Sequence, residues 1–392
     1  MTSHYILSIN SGSSSIKFAF FCLQDFQEEK FIADGAIEKI GLANGAFWMR
    51  GEKKQMLFSK KMDFRNHQEA IEKLLPKFSE QNFPAPTAVG HRLVHGGPKF
   101  FQPTQINEKV LQDLKNYKQF APLHLPSEIQ VIESIGKLFP YLPQIACFDT
   151  YFHRDMPEIA KRYPLPETFW AEGLKKYGFH GISYEYLSSA IPSLPANTII
   201  AHLGNGVSLC ALKNGKSVDT TMGFSPAGGC MMGTRSGDLD PGVLLYLLQE
   251  KHYAPKELED LMNYESGLLA VSKSTSDMQQ LLKEAEKDSK AQLAIELFCY
   301  ILRKNIGAMS AALGGLDLLV FTGGIGENAA DIRSGICEKL QFLGIEIDPE
   351  KNSSSQRIIS KEASACQVQV IPTNEDLMIA RHVAAYLKDS HA

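Results

Sequence analysis

The chain has 392 residues and a formal net charge of −4, and at 44% hydrophobic and 21% charged residues it has the composition of an ordinary globular protein. That charge gives no electrostatic reason to expect nucleic acid or an anionic membrane as a partner, though local clusters of arginine and histidine could still hold a small acidic molecule. No apolar run approaches the roughly 20 residues of a membrane span, and the N-terminal apolar residues follow a strand pattern, not that of a secretory leader.

Strands open the chain, over residues 5–10 and 16–23, flanking the small polar loop in "YILSINSGSSSIKFAFF". Residues 31–37 and 46–50 read as further extended pieces. Asn66 is the expected cap of a helix reaching about Leu75. A connector with Pro84 and Pro86 then leads to the glycine-rich "AVGHRLVHGGPKF". Helical patterns follow at 107–119 and 127–139, and "QIACFDT" is a short strand. Residues 153–182 mix proline, aromatics and charge, which breaks regular elements and suggests an irregular segment bearing functional groups.

Ser183 is the expected cap of a helix over 184–190. From residue 198 the opening pattern returns in "TIIAHLGNGVSLCAL": strand, tight glycine turn, strand, half a chain further on. Two unrelated hairpins would read the same way, but their matching place in each half favours a duplicated fold. Asp240-Pro241 then starts a helix to about Lys251, and Ser276 is the expected cap of 277–287. An amphipathic stretch over 290–312 carries Leu293, Leu297, Ile301 and Ile306 and stops at Gly314-Gly315. "LDLLVFTGGIGEN" reads as strand, glycine turn and helix start. The strand "CQVQVIPT" and a helix from Glu375 to about Leu387 follow. Strands mixed with crossover helices indicate an α/β architecture. Seven cysteines stand far apart without a C-x-x-C spacing, which suits buried reduced thiols in a cytoplasmic protein.

The strand–turn–strand at the start puts backbone N–H groups, hydroxyls and Lys17 near one tip, groups that suit phosphate oxygens. A plain hairpin with a solvated lysine explains it equally, and it is not a Walker loop, which opens a helix. "HLGNG" (202–206) and "GGIGEN" (323–328) add two more glycine turns; the second opens a helix whose amides could meet an anion, without the spacing of a Rossmann turn. Arg92 in "GHRLVHGG" and Arg235 in "GCMMGTRSGDLDPG" lie in glycine-framed segments, with His91, His95 and, in "YGFHG", His180. Each arginine could brace backbone, or match phosphate or carboxylate with its planar fork; together with His180 they would offset the charge of a phosphoryl group in transfer. Asp149 and Glu375 are candidate partners of a Mg²⁺ ion, or alternatively a salt-bridge partner and a helix cap.

Nine blocks now agree. "SINSGSSSIKF", "GHRLVHGG", "PLH", "FDTYFH", "YGFHG", "HLGNG", "MGTRSGDLDPG", "FTGGIGEN" and "TNED" occur in the order found in the acetate/propionate kinase family, which the chain resembles from residue 5 to about 387. The resemblance implies an α/β, duplicated actin-like (ribonuclease H-like) fold of two domains with a nucleotide cleft between them. The expected domains are 1–150, to which the segment near 375–392 could return, and a nucleotide-binding domain over 151–392. It also implies a Mg²⁺-dependent enzyme (Mn²⁺ as a substitute) that moves a phosphoryl group reversibly between ATP and acetate, giving ADP and an acetyl phosphate that feeds acetyl-CoA biosynthesis. A cytoplasmic homodimer is expected, with propionate as an alternative acid.

By position, Asn10 and Glu375 would hold the metal, and Ser13 and Lys17 would meet the phosphates. Arg92 would grip the carboxylate or acyl phosphate, Asp149 would be the essential acid, and His180 and Arg235 would stabilise the transferring group. Val94, Leu123, His124, Phe179 and Pro226 would line the acyl pocket. The nucleotide would lie on His202, Leu203, Gly204, Asn205 and Gly206, on Asp277, Met278 and Gln279, and on Gly323, Gly324, Ile325, Gly326, Glu327 and Asn328.

Four departures from the family pattern stand out. Leu125 replaces an amide in "PLHLP", Tyr184 stands where histidine is usual in "FHGISY", and "SPAGGCMMGTR" precedes the loop as an atypical segment. Gln279 takes the place of an arginine near the adenosine, losing charge and stacking. Butyrate kinases, sugar kinases and non-enzymatic nucleotide clamps share the superfamily. Two arginines at the acceptor argue against a sugar kinase, whose hydroxyl acceptor needs one aspartate base, and the clamps carry partner-binding additions that this sequence lacks.

Overall fold

The computed structural model describes residues 3–25 and 28–391. They form two compact units: one is the chain up to Tyr151 together with the segment from Asn374 onward, the other is Phe152–Thr373.

The strands of the first unit are β1 (Ser3–Gly12), β2 (Ser15–Gln24), β3 (Glu28–Glu38), β4 (Ala46–Gly51), β5 (Met56–Lys61), β6 (Ala88–Leu93), β7 (Thr104–Gln105) and β8 (Gln144–Phe148). They make one sheet in the order β5-β4-β3-β2-β1-β6-β8-β7. Side chains alternate across such a sheet, and this alternation decides what each face packs. Leu7, Ile9 and Val89 join Phe18, Phe20 and residues of helix His67–Glu80 and helix Leu125–Leu138 in one core. The Phe20 and Phe78 rings meet edge to face at 5.0 Å. On the other face, Ser8 and its register partner Gly90 meet the C-terminal helix Glu375–His391. Ser8 Oγ donates to the Asp376 carbonyl at 2.7 Å. A Cβ on Gly90 would lie 2.5 Å from Ile379 Cγ2 and 2.7 Å from Val383 Cγ2, so the helix sits directly on a bare strand backbone.

The second unit has β9 (Asn197–Leu203), β10 (Val207–Lys213), β11 (Lys216–Thr220), β12 (Leu318–Thr322) and β13 (Gln367–Val370), ordered β11-β10-β9-β12-β13. Helix Gly181–Ala190 packs Tyr184 and Leu187 against Ile200, Cys210, Leu318 and Val320. Helix Ser289–Leu313 starts at the Asp288 cap and ends at Gly314, whose φ of 76° is the left-handed turn that a Cβ would resist.

The duplication lies in the topology. In each unit three consecutive strands pair antiparallel, and two parallel strands follow on the side of the first: β3-β2-β1-β6-β8 in one, β11-β10-β9-β12-β13 in the other.

Several expectations need correction. The glycine-rich stretch begins with a strand the sequence did not indicate: "AVGHRL" is β6, where Gly90 serves helix contact rather than a turn. Asn66 caps its helix through Glu69 N, but that helix continues through Pro76 to Glu80. Ser183 is no cap: His180 precedes the helix in left-handed conformation, φ 56°, and Ser183 lies inside it. Asp277, not Ser276, caps helix Met278–Glu284, its carboxylate accepting from Gln280 N. β5, β11 and the helices Pro255–Tyr264 and Gly267–Ser272 were not expected from the sequence.

Candidate active site

Each unit carries its own polar constellation. In the first, β1 and β2 run in register so that Asn10 faces Lys17 and Gly12 faces Ser15, with Ser13 and Ser14 forming the tip. The neighbouring parallel strand β6 brings Arg92 beside this hairpin, and the residue after β8 is Asp149. The guanidinium is clamped flat: Nε and Nη2 donate to Asp149 Oδ1 and Oδ2 at 2.9 and 2.7 Å. Nη1 donates to Asn10 Oδ1 at 3.3 Å and lies 3.5 Å from Glu375 Oε2 at the start of the C-terminal helix. Four of the expected residues therefore meet at one point.

Burial pushes the Asp149 carboxyl up and Arg92 pulls it back; the bidentate geometry keeps the pair ionised. Burial acts against the Arg92 charge, but Asp149 and Glu375 outweigh it and hold the guanidinium protonated. Glu128, one turn into helix Leu125–Leu138, is 2% exposed and accepts the Val94 N–H on both oxygens at 3.3 Å. Burial drives its carboxyl well above the usual range. The sequence flagged no role for Glu128, although an acid three residues after buried Leu125 and one before buried Ile129 is a visible oddity on an apolar helix face. Val94 is buried, Leu123 and His124 are half-buried, and Lys17 and Ser13 are exposed.

In the second unit His180 and His202 stack with ring centroids 4.2 Å apart. His180 Nδ1 bonds Ser208 Oγ on β10 at 2.8 Å, and Ser208 Oγ in turn bonds the Tyr184 hydroxyl. Ser183 Oγ links His202 Nδ1 and Thr373 Oγ1, both at 2.9 Å. Gly206 is the close neighbour: a Cβ there would lie 3.1 Å from His180 Nε2 and 3.7 Å from Arg235 Nη1, so imidazole and guanidinium face the same bare α-carbon. Arg235 donates to the Pro226 carbonyl at 3.2 Å. Its loop is tied down by Ser236 N to Met262 O, Ser266 N to Thr234 O and Thr234 Oγ1 to Asn263 O. Phe179 is 1% exposed, its carbonyl accepting from His153 Nε2.

Of the expected nucleotide residues, Leu203 is buried, Gly204 half-buried and Asn205 exposed at the β9–β10 turn. Gly323 has φ 77° and packs against Leu203 O, where a Cβ would come within 2.7 Å, whereas Gly324 faces open space. Ile325 is half-buried and Gly326 buried. Glu327 Oε1 accepts the Gly323 N–H at 2.9 Å, and Asn328 Nδ2 donates to Gly324 O. Arg333, fully buried, grips the Gly326 and Glu327 carbonyls and both oxygens of Asn352, a brace that no motif revealed. Met278 is buried, while Asp277 and Gln279 are exposed.

For a divalent ion the oxygens near Arg92 are Asn10 Oδ1 and Glu375 Oε2, a hard-donor pair of the kind Mg²⁺ takes alongside substrate phosphates. Among the described residues no cluster of three His, Cys, Asp or Glu could hold a metal by itself.

The comparisons with known proteins agree with one another. The model of the acetokinase family matches residues 5–381. An acetate kinase of Rhodopseudomonas palustris is 43% identical, covering 97% of this chain and 98% of the relative. A propionate kinase of Citrobacter rodentium is 41% identical over 97% of this chain and 96% of the relative. The crystal structure of a propionate kinase from Francisella tularensis superimposes with a TM-score of 0.90 at 38% identity, covering 97% of this chain and 98% of that one.

Proposed function

The chain belongs to the acetokinase family, a family of phosphotransferases, and from that premise we propose that it transfers a phosphoryl group reversibly and in line between ATP and acetate, giving ADP and acetyl phosphate. The observation that carries this reading is the flat clamping of Arg92 by Asp149 with Asn10 and Glu375 at its third nitrogen. With its Nε/Nη2 edge taken by Asp149, a guanidinium so fixed keeps its remaining Nη hydrogens for a carboxylate or acyl phosphate, and the oxygens beside it suit a Mg²⁺ ion (or Mn²⁺). When bound, that ion would be held by Asn10 and Glu375 and would neutralise phosphate charge.

In-line transfer leaves the protein little covalent work, so positioning and positive charge dominate. Arg92 orients the acid, Asp149 holds Arg92 in plane, and His180 and Arg235 neutralise the phosphoryl as it moves. Val94, Leu123, Phe179 and Pro226 are the apolar groups for the acyl methyl. Lys17 and Ser13 meet the phosphates, and the turns at 202–206, 277–279 and 323–328 carry the nucleotide. Propionate is the competing acid, because an apolar pocket rejects one methylene by only about 1–3 kcal/mol.

We further propose a cytoplasmic homodimer. Seven free, buried thiols support a reducing compartment. Helix Pro241–Gln249 has no buried residue, yet Val243, Leu245, Tyr246 and Leu248 are exposed around it, apolar surface that a second copy would cover.

Hydroxamate trapping with ATP and Mg²⁺ tests the reaction, and kinetics on acetate, propionate and butyrate, each with ATP and GTP, test the substrates. Turnover with acetate or propionate and ATP is the expected result. A kcat/KM higher for butyrate than for both would defeat the assignment of the acid.

A further inference from the structure

Tyr184 stands where the family pattern has histidine, and it is fully buried against Phe152, His153, Cys210 and Cys230. Burial pushes its phenol well above the ordinary range, so the O–H is always present and needs an acceptor. The acceptor is Ser208 Oγ, 2.5 Å away. Ser208 has one hydrogen of its own; with Tyr184 donating into its oxygen, that hydrogen is left for His180 Nδ1 at 2.8 Å. Nδ1 is then an acceptor, and the ring hydrogen sits on Nε2. The reverse order, with His180 Nδ1–H donating to Ser208 and Ser208 to Tyr184, would strand the buried phenol hydrogen.

We propose that Tyr184 is a positioning residue: through Ser208 it fixes His180 as the Nε2–H tautomer, so that the imidazole presents a donor on the side where Gly206 leaves room and Arg235 Nη1 also points. The left-handed backbone of His180, φ 56°, fits the same purpose, because an uncommon conformation at a helix start is held there by the bonds around it. The chain thus reaches with a phenol and a serine what a different side chain at position 184 would have to arrange otherwise. This inference rests on the reading of His180 as a group that touches the transferring phosphoryl.

The test separates the two ideas. Imidazole nitrogen chemical shifts are recorded on the full-length protein, with His180→Asn used to assign the signal, alongside steady-state kinetics of Tyr184→Phe, Ser208→Ala and the double variant. The native protein should show His180 in the Nε2–H form, and each single variant a mixture of tautomers. Losing a preorganised donor outright costs about 10²–10³ in rate, so a donor present part of the time should lower kcat by about 2- to 10-fold with KM for acetate and ATP unchanged. The double variant should fall no further, since both changes cut one chain of bonds. Native His180 in the Nδ1–H form, or a pure Nε2–H form surviving in both variants, overturns the relay. A tautomer mixture with unchanged kcat upholds the relay and removes His180 from the phosphoryl step.

Discussion

The two units share a strand order but spend their polar groups differently. In the first, Arg92 is locked to Asp149, Asn10 and Glu375, charge against charge, with Glu128 buried behind Val94. In the second, Arg235 donates to a backbone carbonyl beside two stacked imidazoles and a chain of hydroxyls. One arginine is therefore clamped by a buried carboxylate, and the other is bonded to a backbone carbonyl. Removing each should separate turnover from stability.

The largest effect follows directly. Arg235→Ala should lower kcat by about 10²–10³ with a smaller loss of stability than Arg92→Ala, since the Pro226 carbonyl it leaves is half-buried and can turn to water. Arg92→Ala should lose comparable activity and also about 3–5 kcal/mol of stability, since Asp149, 2% exposed in its side chain, is left charged and unpaired. Denaturant unfolding and initial rates on the two variants check this. Equal stability losses would show that the contrast between the units is not real.

Acid should act on both units alike, through histidines held neutral. Burial lowers His91 and His153 from 6.5 to about 4, and His95 to about 3. His95 Nδ1 accepts the Gly97 N–H at 2.8 Å, a bond lost on protonation there. Between pH 6.5 and about 4 the unfolded chain binds more protons than the folded one, so stability rises with pH across that window and is lost on acidification. Each histidine contributes a slope of up to about 1.4 kcal/mol per pH unit. Urea midpoints measured from pH 7.5 to 4.5 should fall accordingly, and His95→Gln should flatten the curve.

How much of this was readable in advance depended on whether the cause was local. The β1–β2 hairpin and its echo at β9–β10 announced themselves, since apolar runs around a glycine turn are a local pattern. Strand β6 did not, because "AVGHRL" owes Gly90 to a helix from the other end of the chain. The Arg92 constellation joins residues 57 and 82 positions apart, and periodicity cannot bring them together; the resemblance to a family did. Glu128, Ser208 and Arg333 stayed hidden because each acts through buried hydrogen bonds that no spacing encodes.

The bare strand backbone in the first unit gives a smaller test. Gly90→Ala places a methyl against Ile379 and Val383, whose branched side chains cannot rotate aside. Overpacking should cost about 1–3 kcal/mol. The helix that moves begins at Glu375, so the requirement for Mg²⁺ should rise in the same variant. A loss of stability with unchanged Mg²⁺ dependence would remove Glu375 from the metal site.

The smallest effect concerns Gln279 in the second unit. Gln279 is exposed in the first turn of helix Met278–Glu284, behind the Asp277 cap. Gln279→Arg adds a planar cation there without disturbing a buried contact. A guanidinium stacked on an exposed aromatic base is worth about 0.5–1 kcal/mol, so KM for ATP should fall by about 2- to 5-fold with kcat and KM for acetate unchanged. A drop that appears equally with GTP would mean that charge alone, acting on the phosphates, is responsible. An unchanged KM for ATP would place the base away from this turn, and the assignment of residues 277–279 to the nucleotide would go with it.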